Sequence, residues 1–418
     1  MPLPVFAMRL LLLFLCLTAR AEEKVEDSTW LLGGHTTWVL QENTALSGKN
    51  FNPALSFGPD ANFGWSGTVS IFLGVLPWKG ALLQIEPEYA NGHGMPNASG
   101  VAGYPNGEIV RTGVIGTNPP PYVARAFFRQ ELDAFAITVG KFALNDFFDS
   151  SRVASDPRRH FLNWALMDQG AWDYAADTRG YTYGLVLGYE HPLFEIRTGI
   201  ALMPQIANGP DLDWNIVQSQ SGMLEIEFKY QLFKQPGLIK AMSYINHANM
   251  GNYDSAIRSA TAGKAPDIIA TRSHSAIKYG GGILVEQQFN REILAFLRAG
   301  LNDGQTETFA FTEIDLSISL GAHMTGAYWK RPLDRLALAF VTSGLSNSHA
   351  NYLAAGGVGF QLGDGALNYG WESILETYYL VGFGEHIEAS ADMQAIFNPG
   401  MNAGHGPTVV FGLRLHGH

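Results

Sequence analysis

Between Thr312 and Leu320 the chain reads TEIDLSISL, an alternation of acidic or hydroxyl residues with Ile and Leu. Successive side chains of a strand point to opposite faces, so Glu313, Asp315, Ser317 and Ser319 share one face of an extended segment. Ile314, Leu316, Ile318 and Leu320 share the other. In a soluble sandwich the oily face is a core. In a membrane barrel it meets lipid, and the acidic face lines a wet lumen. No single strand decides between the two.

The pattern recurs along the chain. MLEIEFKY (223–230) sets Leu224, Ile226, Phe228 and Tyr230 against Glu225, Glu227 and Lys229. LFEIRTGIAL (193–202), IEASADMQAIFN (387–398), LQIEPEY (83–89) and TVVFGLRLH (408–416) behave alike. Each has about the length of a tilted strand crossing a bilayer. Short connectors at 77–80, 190–192 and 233–237 alternate with long polar stretches at 91–121, 143–179 and 249–275. Short turns at one end and long loops at the other predict an all-β transmembrane antiparallel barrel of about 16 strands, with short periplasmic turns and long extracellular loops. Both termini then fall on the short-turn side. Tyr181, Tyr183, Tyr189 and Tyr230 are expected at the ends of the oily faces, as interfacial aromatics.

Residues 1–21 stand outside this pattern. Arg9 precedes the apolar run LLLLFLCLT, and Ala19-Arg20-Ala21 has small residues where a signal peptidase reads. This predicts a cleaved signal peptide over 1–21 and one barrel domain over 22–418. The single cysteine, Cys16, leaves with it, so neither a disulfide nor cysteine ligation of a metal is expected. The formal net charge of −11 becomes about −13 without Arg9 and Arg20, a poor surface for nucleic-acid phosphates. A soluble chain of 418 residues would predict two or three domains, yet no linker or charge block divides this one. Beyond the leader no apolar run reaches the roughly 18 residues of a spanning helix.

Several stretches resemble the carbohydrate-selective porin (OprB) family, in family order. They are GVAGYPNGE (100–108), YVARAFFRQ (122–130), GKFALNDFFD (140–149) and FLNWALMDQGAWDYAADTRGYTYG (161–184). RAGLNDGQTETFAFTEID (298–315), GDGALNYGWESILETYY (363–379) and DMQAIFNPG (392–400) follow. The resemblance implies an outer-membrane barrel through which sugars diffuse into the periplasm. One departure stands out. Such barrels commonly end on an aromatic residue read by the assembly machinery, whereas this chain ends Leu415-His416-Gly417-His418. Either Phe411 serves instead or assembly is less efficient.

A sugar needs closely spaced donors and acceptors and a flat apolar surface. Candidate acceptors are Glu313, Asp315, Glu372 and Glu376, with Glu225 and Glu227 beside them. Candidate donors are Arg125 and Arg129, on one strand face, and Arg298 and Arg197 on others, since a planar guanidinium matches vicinal hydroxyls or a carboxylate. The plainer alternative is that these charges pair with one another and hold the barrel's shape. The stretch 143–179 carries Asp149, Trp164 and Trp172 among many polar residues. A loop this long and aromatic is expected to fold into the lumen and narrow it. Its tryptophans either stack on sugar or pack the loop to the wall.

No cofactor or metal site is expected. NDGQTE (302–307) lacks EF-hand spacing, and His405, His416 and His418 are a weak metal signal. Nucleophile-elbow and zinc-helix motifs are missing. Paired carboxylates keep open a glycosidase acting on polysaccharide. A general or organic-anion porin is a further alternative, though acids outnumber bases in the candidate lumen strands. The expected partners are sugars as solutes and outer-membrane lipid, with no nucleic acid; a closed barrel leaves monomer and oligomer equally open.

Overall fold

Alternation of apolar and polar residues builds sixteen strands, seen in a computed structural model that describes residues 29–48, 51, 57–95, 100–108, 120–365 and 367–418. The expected signal segment 1–21 lies outside the described residues. The first eight strands are β1 (Trp30–Asn43), β2 (Phe63–Val75), β3 (Ala81–Gly94), β4 (Tyr122–Leu132), β5 (Phe135–Phe142), β6 (Thr182–Glu190), β7 (Phe194–Leu202) and β8 (Gln220–Leu232). Then come β9 (Gln235–Met250), β10 (Ser273–Gln288), β11 (Ile293–Asn302), β12 (Leu316–Thr325), β13 (Arg335–Gly344), β14 (Glu372–Phe383), β15 (Ile387–Phe397) and β16 (Thr408–Gly417). Each pairs antiparallel with its sequence neighbours, and β1 pairs with β16, so the sheet closes. Closure satisfies every edge, which a sheet in lipid requires. Long connections gather at one end. Short ones gather at the other, where β1 begins and β16 finishes.

On β12, Ile318 and Leu320 are 40 % and 50 % exposed on the outside, while Ser317 and Ser319 are 3 % and 1 % exposed on the inside. Oily faces look outward around the whole barrel, as lipid demands. Trp78, Phe135, Phe233, Phe289, Tyr328 and Phe383 ring the short-turn rim, and Phe63, Tyr183, Trp214, Trp371 and Phe397 the long-loop rim. Two aromatic girdles mark the interfaces of a membrane barrel.

One expectation is corrected. TEIDLSISL is not a strand throughout, because β12 begins only at Leu316. Ahead of it the chain bends into the lumen, and Ile314 is buried rather than lipid-facing. The Asp173 carboxylate accepts the N–H groups of Phe309 and Ala310, both at 2.9 Å, and the Thr312 hydroxyl donates to the Gly170 carbonyl at 2.7 Å. These bonds draw 309–314 off the wall and onto the interior.

What fills the interior is the connection between β5 and β6. Phe148, Val153, Phe161, Leu162, Leu166 and Ala175 of this segment are fully buried inside the barrel. Val153, Phe161 and Leu166 pack in one cluster with inward-facing Leu284, Phe296, Ala339, Ile374 and Val410 of the wall, and Phe148 and Ala175 in another with Val186, Ala201, Met223 and Met242. The wall makes room by glycine. A Cβ on Gly282 or Gly300 would stand 1.8 or 2.0 Å from the Gln169 side chain, so β10 and β11 are bare where that residue presses on them.

Candidate functional site

Buried carboxylates inside the barrel meet backbone N–H groups of the β5–β6 segment and of other long-loop connections that fold inward. Glu376 accepts from Leu162 N–H at 2.5 Å and Asn163 N–H at 3.0 Å. Glu372 accepts from Ala102 and Gly103, each at 2.9 Å, and from Gly400 at 2.8 Å. Glu225 takes the Asp149 N–H at 2.6 Å, and Glu286 takes Arg152 N–H at 2.7 Å. Glu313 holds Gln361 and Leu362, while Asp315 holds Ser346 N–H and the His349 ring. Charged acceptors bind N–H donors more strongly than neutral ones, so a polar interior fastens irregular backbone that would otherwise lose its partners.

Arg298 does the complementary work. Its guanidinium donates to the carbonyls of Leu166 at 2.7 Å and Asp149 at 3.0 Å, and its Nε lies 3.1 Å from Asp149 Oδ1. Asp149 also accepts the Gln169 N–H at 2.7 Å. Trp172 is buried edge-on against Tyr174, with ring centres 4.8 Å apart.

Beside the infolded segment, space remains along the wall from β3 to β7. A cavity of about 300 Å³ opens toward the long loops. Glu88, Tyr122, Arg125, Asp146, Arg158, Trp164, Arg179 and Tyr181 are in its lining. A second cavity of about 210 Å³, toward the short turns, is lined by Arg129, Thr138, Asp146, Glu195 and Arg197 among others. Asp146 borders both. A third hollow at the short-turn mouth, about 560 Å³, includes Arg152, Glu227 and Lys229, and Arg197 of the second cavity lies 4.0 Å from Glu227.

Arg125 stands where the first two cavities meet. Its guanidinium reaches Asp146 at 2.7 Å and Glu86 at 3.1 Å. Local sequence aims it there: Glu86 pairs with Arg125, but Pro87 pairs with Val123, so the register skips Ala124. Proline has no N–H for the ladder, and a bulge re-aims side chains. Above it Arg158 pairs with Glu108 at 3.0 Å and lies 3.8 Å from Glu88. Tyr122 donates to Glu88, and the Tyr181 hydroxyl lies 3.4 Å from the same carboxylate. Burial holds the Glu108 carboxyl above the usual carboxylate range, and the Arg158 charge offsets only part of that rise. Arg179 lies over the Tyr122 ring, 4.2 Å from its centre.

The residues singled out by sequence therefore divide. Arg125 and Trp164 line the upper cavity and Arg129 the lower one. Trp164 is also stacked on Phe311, ring centres 4.7 Å apart, so it belongs to both cavity and packing. Asp149, Trp172, Arg298, Glu313, Asp315, Glu372 and Glu376 sit behind the infolded segments, engaged as described above. Tyr181 precedes β6 and turns inward; it is not a member of the lipid-side girdle where its parity with Tyr183 placed it. Glu88, Glu108, Tyr122 and Arg179 were missed as site residues. The inward parity of Glu88 with Glu86 was the available signal, whereas Arg179 and Glu108 lie in loops with no periodicity to read.

The sequence pattern of the family described as carbohydrate-selective porin, OprB family, matches residues 68–418. No curated protein matches the chain by sequence. Among solved structures, the high-pH form of Pseudomonas putida OprB is similar with a TM-score of 0.71 at 16 % identity, over 92 % of this chain and 94 % of that one. The outer membrane channel DcaP of Acinetobacter baumannii gives 0.53 at 8 % identity, over 93 % and 96 %. A loop L8 deletion mutant of OmpT, an outer membrane protein of Vibrio cholerae, gives 0.50 at 11 % identity, over 93 % and 100 %. Likeness at these identities speaks for the fold.

Proposed function

Because the chain belongs to the carbohydrate-selective porin, OprB family, it is a sugar channel of the outer membrane, and we propose that sugar descends along the β3–β7 wall, past Arg179 and Arg125. The reading rests on the two cavities that share Asp146. The upper one holds a guanidinium, Arg179, that makes no ion pair among the described residues and is held flat by Tyr122. Its N–H groups are free to donate to sugar hydroxyls, while Glu88 and Asp146 accept. Arg125 and Arg158 are tied to acids on either side. Balanced, paired charge suits a neutral hydroxylated solute better than a small anion, which would want unpaired bases. We assign these carboxylates to holding arginines and accepting from hydroxyls, not to cleaving a glycosidic bond.

Planar-bilayer conductance with and without glucose tests the reading. The wild-type channel is expected to show a saturable, partial block by glucose. Arg179→Ala is expected to weaken that block about tenfold, the loss of roughly 1.5 kcal/mol from a charged hydrogen bond, with open-channel current little changed. Equal block in both proteins would remove Arg179 from the path.

A further inference from the structure

At the short-turn rim, the last inward-facing positions of β15 and β16 converge on residues the sugar path does not use. Antiparallel register sets Glu388 opposite His416, and His416 opposite Thr37 of β1. One step further, His418 N–H donates to the His386 carbonyl at 3.0 Å, which carries the pairing past the end of β16. Residues two apart on a strand share a face. His416 and His418 therefore look inward together, with His386 and Glu388 alongside. The His416 and His418 rings stack with centres 5.4 Å apart, and His386 lies 6.1 Å from His418. One ligand atom each from Glu388, His416 and His418 falls within 4.8 Å of the others.

Two imidazoles and a carboxylate are a donor set for a borderline divalent cation of the zinc class. His416 Nδ1 lies 2.9 Å from Thr37 Oγ1, a contact that fixes the ring and leaves Nε2 for an ion, as an outer-shell partner does. Metal–nitrogen bonds of about 2.1 Å place tetrahedral donors roughly 3.4 Å apart. Rotation of the His418 side chain, at the rim, closes that difference. Arg159 contacts the same carboxylate, Nε to Oε2 at 2.7 Å and Nη2 to Oε1 at 2.5 Å. Each carboxylate oxygen keeps a second lone pair, so the arginine and an ion occupy different sides of Glu388.

We propose that Glu388, His416 and His418 bind one zinc-class cation at the periplasmic rim, with His386 within reach as a fourth ligand. The ion ties the ends of β15 and β16 together beside the β1–β16 seam. Zinc titration calorimetry on the untagged chain in detergent tests this. One zinc per chain is expected, with affinity at least tenfold weaker in His418→Ala and lost in the His416→Ala/His418→Ala double variant. His405→Ala serves as control, because His405 lies 3.3 Å from Asp364 in a long-loop connection. Unchanged glucose-free conductance verifies that each variant folds, and Glu388→Gln, expected to weaken binding likewise, is the second variant if one does not. A wild-type chain without saturable zinc binding, or a double variant that binds as wild type does, overturns the proposal.

Discussion

Arg125 Nη2 lies 2.7 Å from Asp146 Oδ1 at the point where the upper cavity gives way to the lower. The contact joins a wall strand, β4, to the first turn of the infolded segment, so it spans the space a solute must cross. Arg125→Ala is expected to raise single-channel conductance, by about half or more, and to shift selectivity toward cations by leaving Glu86 and Asp146 uncompensated. Single-channel recording with a salt gradient measures both. An unchanged conductance would put the narrowest point elsewhere.

Behind the path, Arg298 carries a different load. It is buried, and it holds Asp149 together with the carbonyls of Leu166 and Met167. Arg298→Met removes the cationic partner of a buried ion pair and leaves the Asp149 carboxylate buried without its counter-charge, a loss of about 3–5 kcal/mol. The closed ladder of the barrel does not depend on it. Limited proteolysis is therefore expected to cut within 143–181 in the variant while heat-modifiable migration of the barrel persists. A variant as resistant as wild type would mean that the carboxylates of Glu225, Glu286 and Glu376 suffice.

This division marks how far the sequence was legible. Period-two alternation exposes the lipid-facing set directly, because Ile318 and Leu320 have one physical demand, to leave water. The inward set has several. Glu376 and Glu88 look alike in sequence, yet one clasps the Leu162 and Asn163 N–H groups and the other faces the cavity with Tyr122. Which partner an acid meets depends on where the β5–β6 connection lies, and that path is fixed by side-chain packing and glycine gaps far apart in sequence. TEIDLSISL shows both cases at once: its second half obeys the strand period, and its first half follows Asp173 and Gly170 inward.

Asp168 lies in the infolded segment, outside the spanning strands. Burial, helped by the neighbouring Asp149 charge and opposed by Arg298, pushes its carboxyl from 3.8 up to about 7. The folded state thus holds a proton that the unfolded chain has lost between about pH 4 and pH 7. Over that window the contribution of Asp168 to stability falls as pH rises, and it stays low above pH 7. Asp168→Asn keeps an oxygen for the Asn145 side-chain N–H, 3.1 Å away. It is expected to equal wild type near pH 4 and to hold the segment more firmly at pH 8, by an amount of order a few kcal/mol. Proteolytic opening of 143–181 across pH reads the difference. A wild type and variant that respond identically would show the carboxyl ionised throughout.

The outward face gives a test of the membrane reading that needs no solute. Leu320 stands half-exposed on the outward face of β12, between Ser319 and Gly321 in a closed sheet. In lipid, an arginine there must bring its charge toward hydrocarbon, at a cost of about 2–4 kcal/mol near the midplane and less toward the interfaces. Leu320→Arg is therefore expected to lower folding stability in phospholipid vesicles by an amount in that range. The same substitution on a water-facing surface would fall within about 0.5 kcal/mol of neutral. Ser319→Ala, on the opposite face one residue away, removes a hydroxyl from the lumen side and should leave vesicle stability nearly unchanged. Reversible unfolding from vesicles in denaturant compares the three proteins. Equal stability of Leu320→Arg and wild type would mean that the oily face of TEIDLSISL does not meet lipid, and the parity argument for every other strand would fall with it.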